Sequence, residues 1–172
     1  MKRKITVLVI VIVCFLLQCT VFQFLSIASI SPNLLIIVTS SFGFMRGKKD
    51  GMAIGFFSGL FLDIFYGGAL GFYALIYMYV GYTNGFFRKL FYPEDIKLPM
   101  ILISASDLVC SIFIYLVHFL LRGRFAFRYY LLHIIIPEWV YTILVTVFLY
   151  FILLQINQKL ERSEKRSTGK IA

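Results

Sequence analysis

The stretch GMAIGFFSGLFLDIFYGGALG, residues 51–71, has glycine at every fourth position except one. The series consists of Gly51, Gly55, Gly59, Gly67 and Gly71. Asp63 stands at the skipped position. Glycine at this spacing makes a groove along a helix, and a neighbouring backbone can approach closely there. A carboxyl group within such a groove predicts a helix contact that satisfies it, because an unpaired charge in an apolar segment is strongly unfavourable.

The rest of the chain is similarly apolar. It has 172 residues, of which 60% are hydrophobic and 18% aromatic, and the mean hydropathy is +0.89. The apolar residues form long runs, and about 20 such residues span the hydrocarbon core of a bilayer. This composition excludes an ordinary soluble domain and predicts an all-α, polytopic membrane helical bundle. The net charge of +9 does not indicate nucleic-acid binding, because the cations lie in short clusters between the apolar runs.

The apolar runs predict six transmembrane helices in a single membrane domain. Their approximate limits are 5–28, 34–45, 51–66, 69–87, 98–121 and 131–156. A polar tail at 157–172 is predicted to fray into irregular structure. The first span begins like a signal peptide, but its apolar stretch is longer than a signal core, which favours a retained signal anchor.

Lysine and arginine are distributed unequally between the two sides that six spans define. Fourteen of the seventeen lie on one side, and Arg122, Arg124 and Arg128 lie on the other. The positive-inside rule makes the richer side cytoplasmic and places both termini there. The outer basic-aromatic loop, which also contains Tyr129 and Tyr130, has two interpretations. It is either an interfacial belt that holds lipid headgroups or a docking surface for an anionic wall polymer or an extracytoplasmic partner.

The glycine series also has two interpretations. One is helix packing within the bundle, and the other is a groove that holds a helix or segment of a partner. In both, the groove sets the distance of approach and Asp63 fixes the register of the neighbouring helix.

Further polar residues stand inside the predicted spans, and several share one helix face. They are Asn84, Ser104, Asp107, Ser111 and Glu138. Three roles stay open for them: hydrogen bonding between helices, the lining of a small-molecule or lipid cavity, and a proton or ion path. Pro137 is predicted to kink the sixth span, because its nitrogen cannot donate a hydrogen bond to the carbonyl of His133.

The sequence contains no set of residues typical of an active site. It lacks a nucleophile elbow, a phosphate-binding loop and a metalloprotease pair, and its histidines and cysteines are not at metal-ligand spacing. We therefore predict no enzymatic activity, no cofactor and no metal. Cys14, Cys19 and Cys110 are interpreted as small apolar residues within helices.

Four segments resemble the MreD family of rod-shape-determining membrane proteins. They are SPNLL, RGKKDG, GFFSGLFLDIFYGGALGFYAL and VGY, which fall within residues 31–82. The motif positions are Pro32, Asn33, Asp63, Gly67 and Gly71. Asn33 stands where the family frequently has aspartate, a change that keeps the position polar but removes its charge.

The resemblance implies a non-enzymatic scaffold of the bacterial cell-elongation complex, which makes lateral peptidoglycan. The implied partners are MreC, the MreB filament, and RodA with its transpeptidase, directly or through MreC, together with the lipids of the cytoplasmic membrane. The family also resembles the substrate-binding S components of energy-coupling vitamin transporters, which supply the implied fold and an alternative function. S components dock through alanines spaced four apart on their first helix, whereas here that span has only Ala28.

Overall fold

The computed structural model describes residues 2–24, 31–66, 70–92, 95–122 and 127–168, and within these ranges the chain forms helices and connecting turns with no strand. The helices are α1 (Lys2–Cys19), α2 (Val21–Phe24), α3 (Leu34–Arg46), α4 (Lys48–Tyr66), α5 (Phe72–Phe86), a 3-10 helix (Phe87–Leu90), α6 (Lys97–Arg122), α7 (Phe127–Tyr130), a π-helix (Leu131–Ile135) and α8 (Ile136–Thr168). The predicted all-α class is confirmed.

Helix α3 is the centre of the bundle. Every residue from Leu34 to Met45 is buried, and α3 contacts α1, α4, α5, α6 and α8. A helix that is apolar around its whole circumference has to be enclosed by protein or lipid. The second predicted span is therefore the core helix around which the others are arranged.

The most extensive helix pair joins α4 to α5, and glycine makes it possible. A Cβ added to any of three α4 glycines would collide with the α5 backbone: Gly51 with Gly81, Gly55 with Tyr77, and Gly59 with Tyr73 and Ala74. Helix α5 of the same chain packs against these α4 glycines. This face of α4 is consequently closed to a partner's helix.

The last two glycines of the series differ from the first three. Gly67 lies outside the described residues. Gly71 has a φ of +98°, and no atom lies within 4 Å of a Cβ built on it. A left-handed φ is a conformation that favours glycine, so Gly71 shapes the turn before α5 rather than lining the groove.

Helices α3, α4, α5, α6 and α8 lie on the predicted second to sixth spans, residues 25–28 of the first span and 69 of the fourth lie outside the described residues, and the tail differs. Helix α8 continues past residue 157 to Thr168, so the prediction of irregular structure from 157 onward is wrong over that stretch. Tyr150, Leu153, Leu154 and Asn157 are buried and recur at helical spacing. The helix therefore keeps a packed face at the start of the polar tail, which favours its continuation.

A π-helical turn at Leu131–Ile135 comes directly before Pro137. The backbone N–H of Ile136 donates to the carbonyl of Leu131, a bond that reaches one residue further than in an α-helix. Such wide turns accompany helix distortion, as does proline itself. The π-helical turn thus lies next to Pro137, and the kink expected at Pro137 stays a prediction.

Two helical segments are long and apolar enough to cross a membrane, judged over the part of the chain that the structure describes. They are Lys97–Val117 and Leu131–Arg162, with mean hydropathies of 2.2 and 2.1. Only 17% and 28% of these windows is buried, so most of their apolar surface faces outward, unlike the core helix of a soluble protein. Lys4–Cys19 and Leu34–Arg46 are apolar but shorter, and the six-span count therefore stays a prediction.

We expect Gly55→Leu to lower the thermal unfolding temperature in detergent, because the new side chain would press on the carbonyl of Tyr77. Overpacking a filled interface costs roughly 1–3 kcal/mol. Ala53→Leu is the matched control, since Ala53 is exposed on the same helix. Equal unfolding temperatures for the two variants would contradict the assignment of the groove to α5.

Candidate functional site

Asp63 joins the end of α4 to the start of α5. The residue is 2% exposed, and its carboxylate accepts three backbone hydrogen bonds. Oδ1 receives the N–H of Tyr73 at 2.9 Å, and Oδ2 receives the N–H groups of Gly71 and Ala74 at 3.0 Å each. The first N–H groups of a helix have no partner within it, and negative charge is favoured at this end. Of the two kinds of partner that the sequence left open for Asp63, backbone or polar side chain, the structure has the backbone of α5.

The start of α3 is capped by side chains in a similar way. The N–H of Leu35 donates to the Gln18 side-chain oxygen of α1 at 3.2 Å. The N–H of Ile36 donates to Oδ1 of Asn33, the residue that immediately precedes the helix, at 3.3 Å. The buried N-terminus of the central helix is thereby tied to the first helix of the chain.

Asn33 also connects α3 to α5 and α8. The Tyr77 hydroxyl donates to Asn33 Oδ1 at 2.8 Å, and the Asn33 backbone N–H donates to the Thr142 hydroxyl oxygen at 3.2 Å. Asn33 Oδ1 acts as an acceptor in both of its contacts. The two bonds to the Asn33 side chain therefore require only an acceptor oxygen. Pro32, beside it, is buried.

Asn84, near the C-terminal end of α5, forms a second set of hydrogen bonds between helices. Its amide nitrogen donates to Ser106 Oγ of α6 at 2.8 Å and to the Val80 carbonyl at 2.9 Å, with a longer contact of 3.4 Å to Ser40 Oγ of α3. In the structure, Asn84 thus forms a polar link between α5, α6 and α3. Ser104 links α6 to α8 through its backbone carbonyl, which accepts the indole N–H of Trp139 at 3.0 Å.

Asp107 and Glu138 lie on α6 and α8, which pack against each other. Asp107 is 1% exposed, and Glu138 is partly buried. Trp139, next to Glu138, donates its indole N–H to the carbonyl of Ser104, about one turn before Asp107. Within the described ranges, the two oxygens of Asp107 have no hydrogen-bond partner.

Hydrogen bonds join Asn33 to Tyr77 and to Thr142. With Asp107 and Glu138, the acidic residues predicted on the fifth and sixth spans, we call these residues the polar cluster. Their oxygen-rich side chains suit hydrogen bonding between helices.

The family model described as rod shape-determining protein MreD matches residues 1–160 of the chain. This chain belongs to the MreD family. No curated protein and no solved structure matches it. Membership in a family of membrane proteins agrees with the outward-facing apolar surfaces of α6 and α8. The match extends well beyond the segments at 31–82 that carry the resemblance in sequence.

Several predicted site residues of this MreD-family chain lie outside the polar cluster. Ser111 is half-buried, one turn beyond Asp107 on α6. In the outer basic-aromatic loop, Tyr129 stacks on His133 with ring centroids 4.4 Å apart, and Tyr130 contacts Tyr115 at 5.0 Å. Arg124 lies outside the described residues, as do the side chains of Arg122 and Arg128. The two interpretations of that loop remain predictions.

Three polar residues that hold helices together are not among those predicted from the sequence: Gln18, Ser106 and Thr142. Thr142 had a usable signal, because it follows Glu138 by four residues and so shares its helix face. Gln18 stands alone in an apolar run, and nothing in its neighbours indicates a contact with α3. Ser106 is not distinguished from Ser104 until the orientation of α6 is known.

We expect Asp63→Asn to lower the stability of the protein in detergent, because an amide has one acceptor oxygen where the carboxylate has two. Each backbone N–H left unpaired costs about 1–3 kcal/mol. Asp63→Leu should lower the unfolding temperature further, since it removes every acceptor. Asp95→Asn, which alters a solvent-side carboxylate bonded to the Lys97 N–H, is the control. An unchanged unfolding temperature for Asp63→Asn would contradict the three-bond arrangement.

Tyr77→Phe should reduce stability modestly, by about 0.5–1.5 kcal/mol, because it removes a hydrogen bond to Asn33 while keeping the ring. Tyr79→Phe on the same helix is the matched control, since Tyr79 is exposed. Thermal unfolding in a single detergent measures both variants. If Tyr77→Phe were as stable as Tyr79→Phe, the hydrogen bond between α3 and α5 would contribute nothing.

Proposed function

We propose that this protein is a non-enzymatic scaffold of the membrane complex that synthesises the lateral cell wall, and that it maintains rod shape by binding MreC. The family match over residues 1–160 carries the proposal, because the family is defined by rod-shape determination. MreB, RodA and its transpeptidase are the further proposed partners, reached directly or through MreC. The match favours shape determination, and we do not propose vitamin transport.

The distribution of polar groups supports a scaffold with a preorganised interior. Asp63, Asn33 and Asn84 each form at least one hydrogen bond to another helix of the same chain. The glycine groove is filled by α5. Because these interior groups already contact other helices of the chain, we expect partners to bind the outer surfaces.

The outer surfaces of α6 and α8 are the proposed binding region for a partner's transmembrane helix. They expose many large apolar side chains, which include Ile101, Val109, Phe113, Leu116, Val140, Leu144, Val147, Phe148, Phe151 and Ile152. Helices associate in lipid mainly through shape and close packing. A partner helix that fits these side chains would therefore displace lipid from them.

A multi-pass topology with cytoplasmic termini is part of the proposal. Two basic segments, 46–49 and 85–89, meet at one end of the bundle. A Cβ on Gly85 would meet the Lys48 backbone, and one on Gly47 would meet the Arg88 side chain. Clustering of cations at one end supports a cytoplasmic position for that end.

A tryptophan scan of the outer surfaces tests the scaffold. In cells depleted of the native protein, we expect tryptophan at Val109 or Phe113 on α6, or at Leu144 or Phe148 on α8, to turn rods into spheres and to reduce co-purification of MreC. Lipid accommodates the larger ring, whereas a packed helix interface does not.

Phe113→Leu and Phe148→Leu are the matched controls, because they keep an apolar surface without adding bulk. Protein levels are measured in the membrane fraction for every variant. If all four tryptophan variants kept both rod shape and MreC co-purification, binding through these surfaces would be excluded.

A further inference from the structure

Two basic segments meet at one end of the bundle: residues 46–50, between α3 and α4, and residues 85–90, at the end of α5 and in the 3-10 helix. Together they contain five lysine and arginine residues and a single acid, Asp50. Gly47 and Gly85 permit the contact, since a Cβ on either would meet atoms of the opposite segment. Positive charges from both segments are thereby concentrated at one place on the surface.

Two of these cations are held against the protein without being neutralised by it. The Lys48 ammonium lies 3.4 Å from the centroid of the Phe86 ring and 5.6 Å from that of Tyr82. The Arg88 side chain packs over Gly47. Within the described ranges, neither Lys48 nor Arg88 forms an ion pair with a carboxylate. The positive-inside rule requires only that cations lie on one side of the membrane, so their placement on rings and on a glycine calls for a further reason.

Next to these cations, the adjoining faces of α4 and α5 are apolar. Met52 and Phe56 follow Lys48 at four-residue spacing on α4, so the three side chains share one face of that helix. Met78 precedes Tyr82 by the same spacing on α5, which packs directly against α4. All five side chains are at least partly exposed. An apolar strip therefore leads away from the cations along both helices.

We propose that this end of α4 and α5 binds one anionic phospholipid, whose phosphate contacts Lys48 and Arg88 and whose acyl chain covers the apolar strip. Arg88 packs on the residue next to Lys48, so a single phosphate can reach both cations. Lysine and arginine are the residues that bind phosphate, and basic pockets between membrane helices are typical lipid headgroup sites. A free phosphate ion would use the cations but leave the apolar strip uncovered. The site goes beyond the proposed scaffold function and does not depend on which partner protein binds.

Native mass spectrometry of the purified full chain in detergent tests the proposal, with phosphatidylglycerol and phosphatidylcholine of identical acyl chains as the probes. We expect the wild type to bind phosphatidylglycerol more tightly than phosphatidylcholine. Lys48→Gln and Arg88→Gln should each weaken phosphatidylglycerol binding about fivefold, the contribution typical of one cation near an anionic headgroup, and leave phosphatidylcholine binding unchanged. Phe86→Leu keeps every charge but removes the ring against which Lys48 lies, so it should weaken phosphatidylglycerol binding to a smaller extent.

Lys159→Gln, which removes the same charge from an exposed position on α8, is the matched control and should bind phosphatidylglycerol as the wild type does. Lys48 and Arg88 are exposed, so their variants should fold, and thermal unfolding temperatures check this. The proposal is overturned if Lys48→Gln and Arg88→Gln both bind phosphatidylglycerol like the wild type. It is also overturned if Lys159→Gln weakens binding equally, because net charge would then be responsible.

Inorganic phosphate, compared with chloride at the same ionic strength, tests whether the site recognises a lipid. Displacement of phosphatidylglycerol by phosphate but not by chloride would overturn the proposal, because the site would then bind a free anion. Persistence of the bound lipid in both salts supports it. Rod shape and MreC co-purification do not enter these measurements, so a negative result would leave the proposed scaffold function standing.

Discussion

Three backbone N–H groups at the start of α5 bind the carboxylate of Asp63, and the arrangement of α4 and α5 depends on that interaction. In an apolar environment, no water is present to satisfy the free end of a helix. An acceptor has to come from the protein, and a carboxylate supplies the strongest one available to a side chain. Asp63 therefore acts as a remote N-terminal cap that holds two consecutive helices together.

The glycine groove and the cap depend on each other. Gly55 and Gly59 let the α5 backbone lie directly against α4, closer than any larger residue would permit. Only at that distance can a side chain as short as aspartate reach the first turn of the neighbouring helix. The left-handed conformation of Gly71 then turns the chain so that its N–H points back at the carboxylate. The glycine spacing on α4 and the carboxylate of Asp63 together define the interface between α4 and α5.

The buried start of the central helix α3 also needs hydrogen-bond acceptors from elsewhere in the protein. α3 is buried along its length, and its first N–H groups are satisfied by Gln18 and Asn33. Asn33 in turn accepts from Tyr77 of α5 and donates to Thr142 of α8. Hydrogen bonds at the ends of buried helices thus hold the bundle together.

The sequence by itself determined the helical class, the approximate limits of most helices, the close packing along the glycine series and the need to satisfy Asp63. These follow from local rules: apolar runs, four-residue spacing and the instability of an unpaired buried charge. Only the tertiary structure decided that α5 fills the groove, that Asp63 binds backbone rather than a side chain, and that Asn33 meets Thr142, 109 residues away. It also decided that α8 continues into the polar tail. Periodicity identifies which face of a helix is buried, but which helix covers that face depends on how all the helices pack at once.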